Sequence, residues 1–289
     1  MTQRPQNQIG ASAEALRVHY EAGTEFFRLW LDPTLTYSCP LWEQGDTLDS
    51  AQVRKLEYMV RAAGATGARR VLDIGCGWGS MLRRLVDHHG VELAVGLTIT
   101  QSHADWISGW NSARCKVLQE SWLEHIPEEP YDALISIGAF EHFSKFGVKP
   151  AEKIEGYRTF FKRCHSWLRP GGRIALQTVA KGDAPLDRQA VRDSVWLYKE
   201  IWPESEVPRL AEIVPAAEKL FEVIQVRSDR MHYARACRVW LNRLRKNREL
   251  AVKAAGEPVV GKFERWLEIC ERFFERGIST LLRMELARV

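Results

Sequence analysis

The stretch Val71-Leu72-Asp73-Ile74-Gly75-Cys76-Gly77-Trp78-Gly79 decides the fold. An apolar run ending in three alternating glycines predicts a buried strand that turns tightly into a helix, leaving bare backbone where a ligand approaches closely. A G-x-G-x-G turn by itself also fits the dinucleotide-binding fold, or a turn with no ligand. Asp73 separates these readings. A carboxylate at the carboxyl end of a first strand, beside exposed backbone N–H groups, suits an amino-acid moiety carrying both ammonium and carboxylate better than a pyrophosphate. The stretch therefore reads as a site for S-adenosylmethionine (SAM).

Working outward, residues 49–63 predict a helix feeding the strand 71–74, and the helix after Gly79 runs to His89-Gly90. Leu93–Thr98 reads as the second strand, Tyr131–Ile137 as the fourth and Arg173–Val179 as the fifth, the last introduced by the turn signal Leu168-Arg169-Pro170-Gly171-Gly172. This alternation predicts an α/β fold: a doubly wound, mostly parallel seven-stranded sheet with a ligand crevice at the carboxyl ends of its strands. Phe221–Arg227 and Leu281–Ala287 supply two more strands around helices at 233–253 and 258–276, and the last is expected to pair antiparallel at or near an edge.

Two segments stand outside this pattern. Residues 1–60 form an N-terminal helical arm, with two short helices over 13–31 split by Gly23 and a loop at Asp32–Pro40. That loop is either a plain connection or a flap over the glycine turn. Residues 181–219 form a long insertion with Val191, Val195, Tyr198, Ile201 and Trp202 at helical spacing. It reads as a substrate-binding lid, a packing helix being the alternative.

Composition narrows the function. In 289 residues, 45% hydrophobic, a single domain spanning 1–289 is expected. A net charge of +4 is too thinly spread to imply a nucleic-acid partner, and the run Arg243–Arg248 reads as a solvated helix face. Six cysteines without a C-x-x-C pair argue against structural zinc or any other metal and against a disulfide framework, and fit a reducing cytoplasm. Met1–Ser12 is polar, and no apolar run approaches the roughly 20 residues that span a bilayer, so no stable membrane insertion is expected.

Taken together, Thr36-Tyr37-Ser38-Cys39, Gly75-Cys76-Gly77-Trp78-Gly79 and Gly138-Ala139-Phe140-Glu141-His142-Phe143 closely resemble the cyclopropane fatty acid synthase family, in particular the mycolic acid cyclopropane synthases and methyltransferases. The resemblance runs from His19-Tyr20 to the final strand. It implies SAM held by Tyr37, Ser38, Asp73, Gly75 and Gly77, with Thr98 near the ribose, Trp122 flanking the adenine and His103 at a ribose or adenine contact. His103 stands where the family commonly has glutamine. It also implies a bicarbonate ion as base, held at positions matching Cys39, Glu141, Gln177, Val179 and Tyr233, with Tyr20 in the closing arm. Gln177 stands where the cyclopropane synthases have histidine. A neutral amide donates a hydrogen bond to an anion but cannot carry the positive charge, so weaker bicarbonate binding is expected.

The chemistry implied is methyl transfer to an alkene or similarly electron-rich carbon of a lipid, isoprenoid or specialised metabolite. An alkene is a weak nucleophile, so the methyl sulfonium must lie against its π face in a dry pocket, and the resulting carbocation needs electron-rich neighbours and a base. Glu141 and Phe143 suit those needs, a structural Glu141 being the alternative. His142 reads as structural, and Cys39 as a contributor of backbone rather than a nucleophile. Tyr198 and Trp202 belong to the inserted wall, where Ile201-Trp202-Pro203-Glu204-Ser205-Glu206 lacks the family's Pro-Gly-Gly turn and suggests a different acceptor. The rival readings are a true cyclopropane synthase and, from other classes, a nucleic-acid methyltransferase or a non-catalytic SAM-binding protein. A small-molecule or lipid-like partner is expected, and an oligomer is compatible with the sequence.

Overall fold

The computed structural model describes residues 9–20 and 22–289, so the first eight residues of the polar N-terminal stretch lie outside it. The arm comprises α1 (Ala13–Tyr20) and α2 (Thr24–Arg28), separated at Gly23 as the spacing predicts. Helix α3 (Leu48–Ala63) opens on a capping box, in which Thr47 Oγ1 accepts from Ser50 N–H (3.2 Å) and Ser50 Oγ accepts from Thr47 N–H (3.0 Å). It closes on Gly64.

The alternation then runs β1 (Arg70–Ile74), α4 (Ser80–His88), β2 (Leu93–Thr98), α5 (Gln101–Ser108), β3 (Cys115–Gln119), β4 (Tyr131–Ile137), α6 (Pro150–Trp167) and β5 (Leu168–Lys181). The insertion supplies α7 (Arg188–Glu200) and α8 (Leu210–Ala217), and the chain ends with β6 (Phe221–Ser228), α9 (Arg230–Lys246), α10 (Arg248–Ala255), α11 (Glu257–Arg276) and β7 (Ser279–Arg288). The sheet order is β3-β2-β1-β4-β5-β7-β6, with β7 antiparallel to both neighbours. The order turns between β1 and β4, which puts the crevice at their carboxyl ends.

Three details depart from the sequence reading. Pro170-Gly171-Gly172 does not separate two elements: β5 begins at Leu168, and the register shifts between Tyr131 and Ala133 of β4, so the glycines form an irregularity inside the strand. The helix expected over 233–253 breaks at Asn247, whose side-chain amide donates to the Leu29 carbonyl (2.7 Å) and ties the break to the arm. On α7, Val191 and Val195 are half exposed. Its buried face carries Ala190 and Asp193 instead, because Asp193 pairs with Arg272 of α11 (3.0 Å).

The core lies on both sides of the sheet. Leu134, Ile174 and Leu176 pack with Tyr157, Phe160 and Phe161 of α6 on one face, and Val71, Ala133 and Ala175 with Met59, Leu82 and Leu85 of α3 and α4 on the other. A third, aromatic cluster of Phe26, Phe27, Trp30, Trp240, Phe263 and Trp266 joins the arm to α9 and α11. It holds the arm over the crevice.

Candidate active site

At the glycine turn, Gly75 (φ 83°) and Gly77 (φ 52°) adopt left-handed backbone that side chains resist. A Cβ on Gly75 would lie 2.6 Å from that of Ala139, whereas one on Gly77 would meet nothing within 4 Å. The first glycine permits close packing and the second faces open space. That space is a cavity of about 60 Å³ lined by Tyr37, Ser38, Lys55, Asp73, Gly75 and Gly77. The arm loop is pinned above it from α3: Gln52 Nε2 donates to the carbonyls of Thr36 (3.0 Å) and Ser38 (2.9 Å), and Lys55 Nζ donates to Ser38 Oγ (3.0 Å).

Asp73 is buried, with burial pushing its pKa up to about 7 against the opposing pull of Lys55. Burial likewise brings the Lys55 ammonium down to about 7, with Asp32 and Asp73 opposing. Oδ1 of Asp73 and Nε2 of His103 are buried without a hydrogen-bond partner among the described residues. Leaving such atoms unmet costs about 1–3 kcal/mol each, so the site is built for a ligand that meets them. An amino acid with a charged ammonium and a nucleoside with hydroxyls fit this donor set.

Beside this space lies a second cavity of about 380 Å³, lined among others by Leu97, Thr98, Thr100, His103, Trp122 and Phe143. Thr98 Oγ1 accepts from Thr100 N–H (3.2 Å). Burial lowers the His103 pKa to about 4, so its ring is neutral, edge-on to Trp78 (4.4 Å) and Tyr20 (4.9 Å). Ile9 and Ala11 line this cavity too, the Ala11 N–H donating to the His142 carbonyl (2.9 Å), so the start of the arm straps across it.

A third cavity, about 370 Å³, has apolar walls from Leu197, Trp202, Phe273, Phe274, Ile278 and Leu281, with Phe146, Leu186 and Tyr198 at exposed positions. Cys39, Glu141, Gln177, Val179 and Tyr233 line it together. Glu141 accepts from Thr178 Oγ1 (3.0 Å) through one oxygen and from Val179 N–H (3.2 Å) through the other, yet burial raises its pKa to about 7. Tyr233 stacks on Phe274 (4.3 Å). Burial pushes the Cys39 thiol up to about 12, so it is not a thiolate, and its Sγ turns to the Pro40 carbonyl (3.3 Å). Tyr20 and Gly138 line all three cavities and mark their junction.

The structure thus gathers Tyr37, Ser38, Asp73, Gly75 and Gly77 at one cavity, Thr98, His103 and Trp122 at the next, and Cys39, Glu141, Gln177, Val179, Tyr233, Tyr198 and Trp202 at the third. Phe143 lies elsewhere than expected. It faces the second cavity, packed on Trp122 (4.8 Å) and Phe160 (5.0 Å), because the turn at 140–142 directs it away from the third. His142 borders both the second and third cavities, its Nδ1 bonded to Ser205 Oγ (2.8 Å). Gln52, Lys55 and Arg283 escape the sequence reading. Each carried a signal: Gln52 and Lys55 sit three apart among Ala51, Leu56 and Met59 on the buried stripe of α3, and Arg283 interrupts the apolar run Leu281-Leu282-Arg283-Met284.

Known proteins share this fold and much of this sequence. The family described as mycolic acid cyclopropane synthetase matches residues 7–284. Cyclopropane mycolic acid synthase 3 of Mycobacterium tuberculosis is 31% identical over 94% of this chain and 96% of its own. Hydroxymycolate synthase MmaA4 of the same species is 32% identical over 90% of this chain and 88% of its own. The crystal structure of the mycolic acid cyclopropane synthase CmaA1 with S-adenosylhomocysteine (SAH) and CTAB superposes with a TM-score of 0.87 at 29% identity, covering 98% of this chain and 100% of its own. With its seven-stranded class I methyltransferase fold, the chain belongs to the mycolic acid cyclopropane synthetase family of SAM-dependent enzymes.

Proposed function

We propose that the protein transfers the methyl group of SAM to an alkene carbon of a lipid-like acceptor, through a carbocation on that acceptor. One observation carries the reading. An apolar cavity with a buried carboxyl group in its wall opens at Tyr20 and Gly138 onto the two cavities that fit the ends of SAM. SAM supplies an electrophilic methyl group; the chain supplies the rest. Tyr37, Ser38, Asp73, Gly75 and Gly77 hold the amino-acid end, Thr98 and His103 the ribose, and Trp122 the adenine. The apolar walls exclude water, so that an alkene is the best nucleophile present. Glu141, ionised, faces the cation across a low-dielectric cavity and stabilises it. Residues 181–219 form the lid, with Tyr198 and Trp202 against the acceptor.

The fate of the cation fixes the product. The relatives' names divide here, one a cyclopropane synthase and one a hydroxymycolate synthase. Loss of a proton from the transferred methyl group closes a ring. Quenching elsewhere leaves a methyl branch. Ring closure is the second reading, and it is supported by Cys39, Glu141, Gln177, Val179 and Tyr233 lining one cavity, where a base could meet the transferred methyl group. SAM bearing a trideuterated methyl group, incubated with monounsaturated phospholipid vesicles and with a cell lipid extract, distinguishes the outcomes by mass spectrometry. An intact CD₃ marks methylation and a CD₂ ring marks cyclopropanation. Label in no alkenyl lipid would overturn the proposal.

A further inference from the structure

Gln177 of β5 and Arg283 of β7 are directly opposed in the antiparallel register. Arg283 is fully buried, and its guanidinium is almost completely engaged. Nε donates to Gln177 Oε1 (2.9 Å), Nη2 donates to the carbonyls of Cys39 (3.1 Å) and Pro40 (3.0 Å), and Nη1 pairs with Asp229. Asp229 is held in turn by Arg227 Nε (2.8 and 2.7 Å). A guanidinium has only donors, so the oxygen of the Gln177 amide must face it. Among the described residues the NH₂ group has one partner, the Cys39 carbonyl at a long 3.4 Å, which Arg283 Nη2 also holds. The second N–H is left for the cavity that Gln177 shares with Glu141 and Tyr233.

We propose that Arg283 is a positioning residue, which fixes Gln177 as a one-way hydrogen-bond donor toward an acceptor oxygen bound in the third cavity. The inference rests on the functional reading of that cavity. A cation bonded to the amide oxygen polarises the amide and strengthens its N–H as a donor. The positive charge that Gln177 lacks in comparison with histidine therefore stands immediately behind it, on the neighbouring strand. The same guanidinium clamps Cys39 and Pro40, at the end of the loop that carries Tyr37 and Ser38, so it fixes the donor relative to the cofactor.

The test compares Arg283→Met, Arg283→Lys and Gln177→Glu with the wild-type chain, each saturated with SAH or SAM. Selective ¹⁵N labelling of glutamine side chains reads the amide directly, its Gln177 resonance being the one absent from Gln177→Glu. Arg283→Met is expected to move that resonance toward free-amide values. It is also expected to lower kcat for methyl transfer to monounsaturated phospholipid vesicles by about 10- to 100-fold, the scale of one charge-assisted hydrogen bond. Each kcat is read at saturating SAM, because Arg283→Met also releases the end of the loop that carries Tyr37 and Ser38, and Arg283→Lys, which still donates to the amide oxygen, recovers part of kcat. An unmoved Gln177 resonance, or kcat within twofold of wild type in Arg283→Met, would overturn the proposal. Should Arg283→Met not fold, Gln177→Glu decides, since its carboxylate pairs with Arg283 but donates nothing: a similar loss of kcat supports the role and retained kcat refutes it. Failure of the wild-type chain to methylate any alkenyl lipid would defeat the functional reading alone, and the amide resonance would still decide the role of Arg283.

Discussion

The cofactor side and the acceptor side of this molecule are built from different materials. On the cofactor side, backbone does much of the work, in the turn 75–79 and in the loop carbonyls held by Gln52, joined by two buried side-chain atoms, Asp73 Oδ1 and His103 Nε2. On the acceptor side, side chains from β5, α7, α9, α11 and β7 enclose a mainly apolar space against the buried carboxyl group of Glu141. The difference separates affinity from chemistry. Changes on the first side should register as cofactor binding, and changes on the second as turnover.

The largest effect expected falls on the second side. Glu141→Ala should lower kcat by about 100-fold or more, the scale of a positioned acid–base group, while calorimetry finds SAH affinity nearly unchanged. Near-normal turnover in a folded variant would reduce Glu141 to a strut between Thr178 and Val179. On the first side, Asp73→Ala should weaken SAH binding by about 10- to 100-fold through loss of a charge-assisted bond, with kcat at saturating SAM altered only a few-fold. If the two variants exchanged these signatures, the division would be wrong.

That division also explains what could be read from the sequence. The cofactor side is local: strand, glycines and Asp73 occupy nine consecutive residues, and the period of the flanking helices is regular, so position and chemistry are legible together. The acceptor side is assembled over long range. Gln177 was visible as an amide, but its meaning depends on Arg283, 106 residues later, and only the antiparallel register makes them partners. Phe143 was misplaced because a short 3₁₀ turn decides which cavity it faces, and no periodicity reports on three residues. On α7 the buried Asp193 pairs with Arg272 of α11, a partner that helical spacing within residues 188–200 does not report.

A pH profile sharpens the comparison further. Glu141 has a pKa raised to about 7 by burial, so it is ionised above that pH and protonated below it. If its ionised form serves the cation, kcat at saturating SAM should fall about tenfold per pH unit on the acid side of the Glu141 pKa in the complex, which the sulfonium charge places below its value in the free protein, and the Glu141→Gln variant should lose this limb. Asp73 is also raised to about 7 in the free protein, but the ammonium of a bound amino acid favours its charged form. The Asp73 titration should therefore appear in kcat/KM for SAM and not in kcat. A limb in kcat that survives Glu141→Gln would assign the titration to another group.

The smallest effect expected lies where the two sides touch. Glu204, in the inserted segment, has a left-handed backbone (φ 66°), and its side chain accepts from Ser12 N–H (2.9 Å) at the start of the arm that covers the second cavity. Its carbonyl accepts from Phe146 N–H (3.0 Å), which keeps the loop in place whatever the side chain. Glu204→Gly relieves about 1–2 kcal/mol of left-handed strain. It gives up a hydrogen bond of about 1 kcal/mol, and a further 0.5–1 kcal/mol, roughly, to the greater freedom of glycine in the unfolded chain. These terms nearly cancel, so Tm should move by only a few degrees. The arm, however, loses one of its ties to the inserted segment. Hydrogen exchange at the Ala11 amide should quicken, and SAH affinity should weaken by about two- to fivefold, while Glu204→Gln, which keeps an acceptor oxygen, stays near wild type on both counts. Unchanged exchange and affinity in Glu204→Gly would show that the arm is held by its other contacts, the aromatic cluster and the Ala11–His142 hydrogen bond among them, without help from Glu204.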